Sequence, residues 1–242
     1  DVFLTHLRAD TNTLYQNDGA GNFTDATASL GLGPASWPYT GFGTAWLDAD
    51  GDGFLDLFAA NGEVVIIPEQ AEAGDPHPLH QPNQLFHNLS GRGFEDFSGR
   101  AGKVFELSEV SRGAAVGDVD DDGDPDLLVC NNDGPVRLLI NDSPPRRWLG
   151  VRALLRDAPR DALGARVRVE LADGSTWWRR VRADASFASA NDPRVLFALP
   201  GDAPLRSVLV VWPGGAREAW SDLELDRYHT LRQGSGRPVE EP

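Results

Sequence analysis

The sequence lacks methionine and contains a single cysteine and no long apolar run. One cysteine excludes an intramolecular disulfide and a cysteine-built zinc site. The apolar runs fall far short of the roughly 20 residues that span a bilayer, so we expect no membrane span. Because a sequence without methionine cannot be an intact open reading frame, we expect a processed product or a fragment.

Basic residues are also scarce, since the chain has 22 of them and 37 acidic residues, which gives a net charge of −15. This charge is repelled by phosphate backbones and anionic lipids, which argues against nucleic-acid or membrane-surface binding as the main task. Residues 1–146 hold 24 acidic and 7 basic side chains, whereas residues 147–242 hold 13 and 15. The polar, proline-containing segment 141–146 predicts a boundary between domains 1–146 and 147–242.

Residues 1–146 contain an internal repeat. Residues 12–17 (NTLYQN) match residues 83–88 (NQLFHN), and the aspartate-rich segment 48–56 matches 118–126. A third copy begins near residue 136. Short apolar stretches between glycine-rich turns predict strands, and β units of this size predict the blades of a partial β-propeller. Residues 1–5 align with the segments that follow the aspartate clusters, so we expect the remaining blades of a parent chain as partners.

Each aspartate cluster follows the frame Asp-x-Asp-x-Asp-Gly-x-x-Asp. Carboxylates at alternate positions of a tight loop can converge on one point, and glycine at the sixth position permits the sharp turn. Calcium suits such oxygen ligands best, because magnesium needs stricter geometry and zinc or copper prefer softer donors. The predicted ligands, with Phe54 and Asp124 offering backbone carbonyls, are Asp48, Asp50, Asp52, Phe54 and Asp56, and Asp118, Asp120, Asp122, Asp124 and Asp126. A third site would be truncated at Asp1.

Two alternatives to this calcium loop were weighed. An EF-hand needs a bidentate glutamate at position twelve, but Ala59 and Val129 stand there and the following segments resemble strands. A solvated acidic turn explains a single cluster, but two clusters in one frame at equivalent places of a repeat favour a metal. Four carboxylates in one loop would repel one another strongly without a cation.

The repeats resemble the calcium-binding FG-GAP or VCBS repeats of integrin-type β-propellers. The order of segments is similar to the ASPIC/UnbV proteins, which include the cartilage acidic protein. Residues 61–64 and the loop to residue 86 resemble the inserted loop of that family, and residues 111–115 resemble the strand before its last aspartate cluster. The matching C-terminal motifs are 164–169, 179–181, 186–187, 191–192, 196–197 and 208–215. Asp184, Ala185, Ala198 and Pro200 depart from the family by standing where glycine is expected.

Residues 147–242 also predict a fold without the resemblance. Strand-like segments at 148–151, 165–171, 177–181, 195–199 and 207–212 alternate with glycine- and proline-containing turns. They predict a small antiparallel β domain of the sandwich or barrel-like type. Its arginines at positions 166, 168, 179, 180 and 182 can share one exposed face, which we interpret as a solvated face or a contact with the acidic repeats rather than an anionic ligand site.

Weaker signals predict neither catalytic nor cofactor-binding residues. His77 and His80 lie in an acidic loop, where loop composition explains them better than a transition-metal site. Ser186 lacks a nucleophile elbow. We interpret Cys130 as a core residue of a strand, and most tryptophans as packing residues, with Trp37 exposed in a loop.

The all-β chain is thus predicted to be a calcium-binding module for binding, adhesion or scaffolding, with structural calcium and an unknown protein or glycan ligand. Weak calcium sites would stay unfilled at cytosolic calcium levels, so we expect a secreted or periplasmic location. Since UnbV relatives are encoded with natural-product pathways, the resemblance also implies an alternative, an enzyme or accessory protein of an enediyne-like pathway with its site in the propeller. Closed oxygen cages far from any pocket would favour the scaffold, and a metal beside a deep pocket would favour the enzyme.

Overall fold

The computed structural model describes residues 1–144, 146–184 and 186–240, so Pro145 of the predicted joint and Ala185 of the predicted turn lie outside the described residues. Strands make up 40% of the chain and helices 7%, which confirms the all-β prediction. The helices are α1 (Gly33–Ser36), α2 (Pro68–Glu72) and two 3₁₀ turns, Ser98–Arg100 and Lys103–Glu106. No helix in the described ranges is long and apolar enough to cross a membrane.

The repeat region folds into antiparallel sheets. Three sheets have the strand orders β1-β2-β3, β4-β5-β7-β8 and β10-β11-β12, and a small fourth sheet pairs β6 with β9. The strands are β1 (Val2–Leu4), β2 (Thr13–Asn17), β3 (Phe23–Asp25), β4 (Gly41–Leu47), β5 (Asp56–Asn61), β6 (Gln81–Pro82), β7 (Gln84–Asn88), β8 (Phe94–Asp96), β9 (Ser108–Glu109), β10 (Ser111–Gly117), β11 (Asp126–Asn131) and β12 (Arg137–Leu139).

The three main sheets are copies of one unit. The four-stranded sheet β4-β5-β7-β8 contains the whole unit, whereas β1-β2-β3 matches its last three strands and β10-β11-β12 matches its first three. In the second and third sheets, the aspartate loop connects the first strand to the second. Antiparallel four-stranded sheets of this kind are the blades of β-propellers.

Neighbouring sheets pack face to face through the central strand β5, which is buried along its whole length. Successive side chains of a strand point to opposite faces, so β5 contributes to two cores. Leu57 and Ala59 belong to the core shared with the first sheet. Phe58 and Ala60 belong to the core shared with the third sheet. The first strands β4 and β10 also approach closely. A Cβ atom at Gly43 would lie 2.6 Å from the Arg112 carbonyl oxygen, so only glycine fits there.

The C-terminal part forms two further sheets, ordered β16-β13-β19 and β15-β14-β17-β18-β20. All their pairings are antiparallel except that of β13 with β19, which is parallel. No sheet in the described ranges contains strands from both sides of residue 146. The strands are β13 (Trp148–Leu154), β14 (Arg166–Leu171), β15 (Thr176–Arg180), β16 (Val195–Ala198), β17 (Leu205–Val211), β18 (Arg217–Trp220), β19 (Tyr228–Arg232) and β20 (Arg237–Pro238).

A single apolar core lies between these two sheets. Val167 and Val169 of β14 are fully buried in it, as are Leu149 and Val151 of β13. The intervening residues of β14 are charged and face outward. This alternation is typical of a sheet with one face in the core and one face in solvent.

Two expectations about single residues are wrong. Cys130 is exposed rather than buried, because it alternates with buried Val129 on β11 and no described strand covers that face. Arg179 does not share the face of the other arginines of its sheet. Its cross-strand partner is buried Val167, which places it on the opposite side of the sheet from Arg166 and Arg180.

Candidate metal centre

The first aspartate loop, residues 48–56, connects β4 to β5 and is closed by its own backbone. Asp48 accepts hydrogen bonds from the backbone N–H groups of Asp52 at 3.1 Å and Gly53 at 3.0 Å. Asp56 accepts one from Ala49 N at 2.9 Å and one from Asn88 N on β7 at 2.7 Å. The first and last aspartates of the frame therefore fix the loop, and one of them also ties it to the third strand of its blade.

The second loop, residues 118–126, repeats this geometry between β10 and β11. Asp118 accepts from Asp122 N at 3.2 Å and from Gly123 N at 3.0 Å. Asp126 accepts from Val119 N at 2.8 Å and from Asn141 N at 2.9 Å. The two loops thus share their bonds as well as their sequence frame.

The turn requires left-handed backbone at two positions of each frame. The sixth position has a φ of 91° at Gly53 and 97° at Gly123. The fourth position has a φ of 69° at Gly51 and 58° at Asp121, where aspartate tolerates the strain better than most residues. The glycine at the sixth position predicts the left-handed turn there, whereas the left-handed turn at the fourth position is visible only in the structure.

Within each loop the first three aspartates converge. Carboxylate oxygens of Asp48, Asp50 and Asp52 lie within 4.8 Å of one another, and those of Asp118, Asp120 and Asp122 do the same. These acidic clusters can hold a metal ion. The predicted ligand sets as a whole, including the carbonyls of Phe54 and Asp124 and the carboxylates of Asp56 and Asp126, remain predictions.

The electrostatics of the loops favour a cation. Burial raises the pKa of Asp48 to about 7, and nearby Arg179 partly opposes this shift. Burial raises the pKa of Asp124 to about 6, and the carboxylates of Asp122 and Asp118 add to this shift. The carboxylates therefore destabilise one another in their charged forms, and a bound cation would relieve that repulsion.

Two protein-family models match segments of the chain. Residues 1–59 match the model of the FG-GAP-like repeat, and residues 156–238 match that of ASPIC and UnbV. The chain is thus similar to FG-GAP-like repeats in its first part and to ASPIC and UnbV proteins in its second, and we refer to residues 1–146 as the FG-GAP-like region and to residues 147–242 as the ASPIC/UnbV domain. Both resemblances drawn from the sequence are thereby confirmed. The first match contains the loop 48–56, and the loop 118–126, which has the same geometry, lies outside both matches. No curated protein matches the chain.

The FG-GAP-like region adds a histidine to its first loop. His87 on β7 places Nδ1 3.3 Å from a carboxylate oxygen of Asp56 and 3.6 Å from one of Asp50. Ile140 occupies the equivalent position of the third copy, so the second loop has no such nitrogen. Sequence reasoning missed His87, although the alignment of residues 83–88 with 136–141 could have placed it beside the loop.

The ASPIC/UnbV domain covers both loops with tryptophans. A Cβ atom at Gly123 would lie 2.4 Å from ring atoms of Trp148, and one at Gly53 would lie 2.9 Å from Nε1 of Trp177. The sixth-position glycines therefore serve two purposes, since they allow the turn and also let an aromatic ring rest on the loop.

Polar contacts hold the second loop more firmly. The hydroxyl of Tyr228 donates to the Asp118 carboxylate at 2.9 Å. The Arg194 guanidinium donates to the Asp118 carbonyl oxygen, the Asp121 carboxylate and the Asp192 carboxylate, each at 2.6 Å. It also lies 4.1 Å from the centroid of the Tyr228 ring. One charged and one aromatic side chain of the ASPIC/UnbV domain thus contact the first aspartate of this loop.

A cavity of about 400 Å³ lies between the loops and the ASPIC/UnbV domain. Asp48, Asp118 and Asp124 line its acidic side, and the other side is lined by Tyr228, Trp178 and four arginines, Arg179, Arg180, Arg182 and Arg194. The Arg179 Nη2 atom is buried and has no hydrogen-bond partner among the described residues. The loops therefore lie beside a pocket, because the domain that covers them leaves this space next to them.

The weaker candidates show no comparable arrangement. The rings of His77 and His80 stack at 4.5 Å, and His80 Nδ1 lies 2.7 Å from the Ser108 carbonyl oxygen. Neither histidine belongs to a group of three potential metal ligands in the part of the chain that the structure describes. Trp37 is 54% exposed, as expected from its loop.

Proposed function

We propose that this protein is a calcium-stabilised, extracytoplasmic binding or scaffold module. Its FG-GAP-like repeat and ASPIC/UnbV domain suggest a propeller-type binding or adhesion module. The observation that carries the calcium proposal is the repetition of one hydrogen-bonded loop, with three converging carboxylates, at equivalent places in two blades. A merely solvated acidic turn has no reason to repeat its bonds as well as its residues.

The donor chemistry favours calcium over other metals. The converging atoms of the second loop are all carboxylate oxygens, which suit a hard cation with a flexible coordination number. The first loop has the same oxygen set beside His87. Because the frame is shared, we assign calcium to both loops, with His87 as a flanking group of the first.

The proposed role of calcium is structural. Each loop joins two neighbouring strands of a blade and accepts a backbone hydrogen bond from Asn88 at the end of β7 or from Asn141 just after β12. Each loop also carries a tryptophan of the ASPIC/UnbV domain. A cation there would fix the blade and the surface on which the second domain rests. Loops of modest calcium affinity fill at extracellular rather than cytosolic calcium concentrations, which supports an extracytoplasmic location.

Thermal unfolding with and without calcium tests this proposal. We expect excess chelator to lower the melting temperature, calcium to restore it, and Asp50→Asn or Asp120→Asn to reduce the restoration. Asp157→Asn, at an exposed aspartate in the turn after β13, is the matched control with the same change in charge. An unchanged melting temperature on removal of calcium would contradict the structural role.

Exposed apolar side chains support the proposal that further blades of a longer chain pack against the first and third sheets. Val2 and Leu4 on the first sheet are 41% and 44% exposed, and Leu128 and Leu138 on the third are 41% and 50% exposed. Leu128 and Leu138 lie directly opposite each other on one face. Faces of this kind are typical of surfaces that another sheet covers. In a longer chain with additional repeats, we expect reduced binding of a hydrophobic dye relative to residues 1–242.

The cavity supports a second candidate function, a small-molecule site of the enzymatic alternative. Its buried, unpartnered Arg179 nitrogen faces a space that is large enough for a small ligand. Calorimetric titration with metabolite carboxylates tests this candidate, since Arg179→Gln should abolish any binding there while leaving calcium binding intact.

A further inference from the structure

The outer face of the five-stranded sheet in the ASPIC/UnbV domain concentrates positive charge. Cross-strand register places Arg166 opposite Arg180, Arg168 opposite Trp178, and Ala219 opposite Arg237. Residues directly opposite each other in an antiparallel pair point to the same side of the sheet. We call this surface the basic face and define it by its side chains Arg166, Arg168, Arg180, Arg217, Arg237, Glu170, Trp178, Leu209 and Val211.

Several arginines of the basic face have no ion-pair partner among the described residues. Its one carboxylate, Glu170, accepts from Arg206 at 3.0 Å and from Arg168 at 3.5 Å. In the described residues, Arg166, Arg180 and Arg237 form no ion pair. Elsewhere in this acidic chain, arginines such as Arg137 and Arg194 bind carboxylates at 2.6 Å. The basic face thus has five arginines and one carboxylate, and its net charge is positive, in contrast to the net charge of −15 of the whole chain.

An exposed tryptophan lies among these charges. The Trp178 ring is 44% exposed, and the guanidinium groups of Arg166 and Arg168 lie 5.7 Å and 5.6 Å from its centroid. The half-buried side chains of Leu209 and Val211 continue the apolar part of the face. Tryptophan and arginine are the residue types that contribute most to binding at protein interfaces. The face thus combines an apolar anchor with charges that surround it.

We propose that the basic face binds an extended, acidic segment of a protein partner. Side chains two residues apart on a strand are about 6.6 Å apart, and neighbouring strands are about 4.8 Å apart. An extended chain with a carboxylate at every second residue repeats at the same spacing as Arg166 and Arg168 on β14. Its carboxylates pair with the guanidiniums of Arg166, Arg180 and Arg237 while the chain packs against Trp178. A nucleic acid fits less well, because the net charge of −15 repels a continuous phosphate backbone.

The inner side of this sheet packs in the apolar core, and Trp178 and Arg180 on its edge strand β15 also line the cavity beside the aspartate loops. The test is fluorescence anisotropy of the whole chain in calcium at low salt, with a fluorescein-labelled peptide of alternating glutamate and serine. We expect saturable binding. We also expect binding to weaken about tenfold in Arg166→Glu/Arg180→Glu and in Trp178→Ala. Each variant removes side chains of the types that contribute most to the binding free energy at interfaces.

The controls separate a specific site from general charge. Arg92→Glu/Arg160→Glu makes the same change in net charge at exposed arginines outside the basic face, and we expect it to keep binding within about twofold. A peptide of the same composition with glutamates in adjacent pairs should bind more weakly than the alternating one. Circular dichroism of each variant verifies folding. Equal losses in both double variants, or binding of polygalacturonate but of neither peptide, would overturn the proposal.

Discussion

The contact between Gly123 and Trp148 makes a quantitative prediction about how the two domains are joined. Gly123 has a φ of 97°, and an added Cβ would lie 2.4 Å from three atoms of the Trp148 ring. Gly174, in the turn between β14 and β15, has a φ of 90° and no atom within 4 Å of an added Cβ. Both Gly123→Ala and Gly174→Ala therefore place alanine at a strained backbone position, but only Gly123→Ala creates a steric overlap.

The expected magnitudes follow from these two effects. Alanine at a left-handed position costs about 1 kcal/mol, which is the whole effect expected at Gly174. At Gly123, displacement of a rigid indole from a packed site adds about 1–3 kcal/mol, as overpacking does elsewhere. We expect a loss of about 2–4 kcal/mol in the free energy of unfolding for Gly123→Ala.

Urea denaturation in the presence of calcium measures both variants, and a double-mutant cycle isolates the contact. In a Trp148→Leu background the smaller side chain removes the overlap, so the cost of Gly123→Ala should fall towards that of Gly174→Ala. The reasoning is refuted if the two glycine variants lose equal stability, or if the cost at Gly123 is the same in both backgrounds.

Three further predictions address the loops and the cysteine. Tyr228→Phe removes the hydrogen bond to Asp118 and should lower the free energy of unfolding by about 1 kcal/mol in urea denaturation; an unchanged value would mean that this bond contributes nothing. Because the pKa of Asp48 is raised from 3.8 to about 7 in the folded chain, the folded state binds more protons than the unfolded state in this interval. In chelator, the melting temperature should therefore fall as pH rises from about 4 to 7, and calcium should reverse this trend; a rise with pH in chelator would contradict the argument. Exposed Cys130 should react with a thiol reagent without denaturant, whereas a buried thiol would require unfolding.

The repeats allowed much of the fold and the candidate site to be predicted. Strand periodicity and turn residues are local properties, so the all-β class and most strands of the C-terminal domain followed from short segments. The aspartate frame is equally local, because alternate carboxylates and a glycine within nine residues suffice to bring the side chains together. The fourth-position turn was missed since aspartate as well as glycine can adopt it, as Asp121 does.

Only the tertiary structure decided the features that depend on strand register and on contacts between distant segments. His87 reaches its loop because β7 pairs with β5, and Arg179 lies on the opposite side of the sheet from the basic face because its partner across the sheet is Val167. A shift of one residue in either pairing would reverse these sides, and the sequence of a single strand does not specify the pairing. The sequence by itself thus determined the β repeats and the converging carboxylates. The packing of one domain on the other decided that both loops carry a tryptophan, since that contact joins surfaces that are remote along the chain.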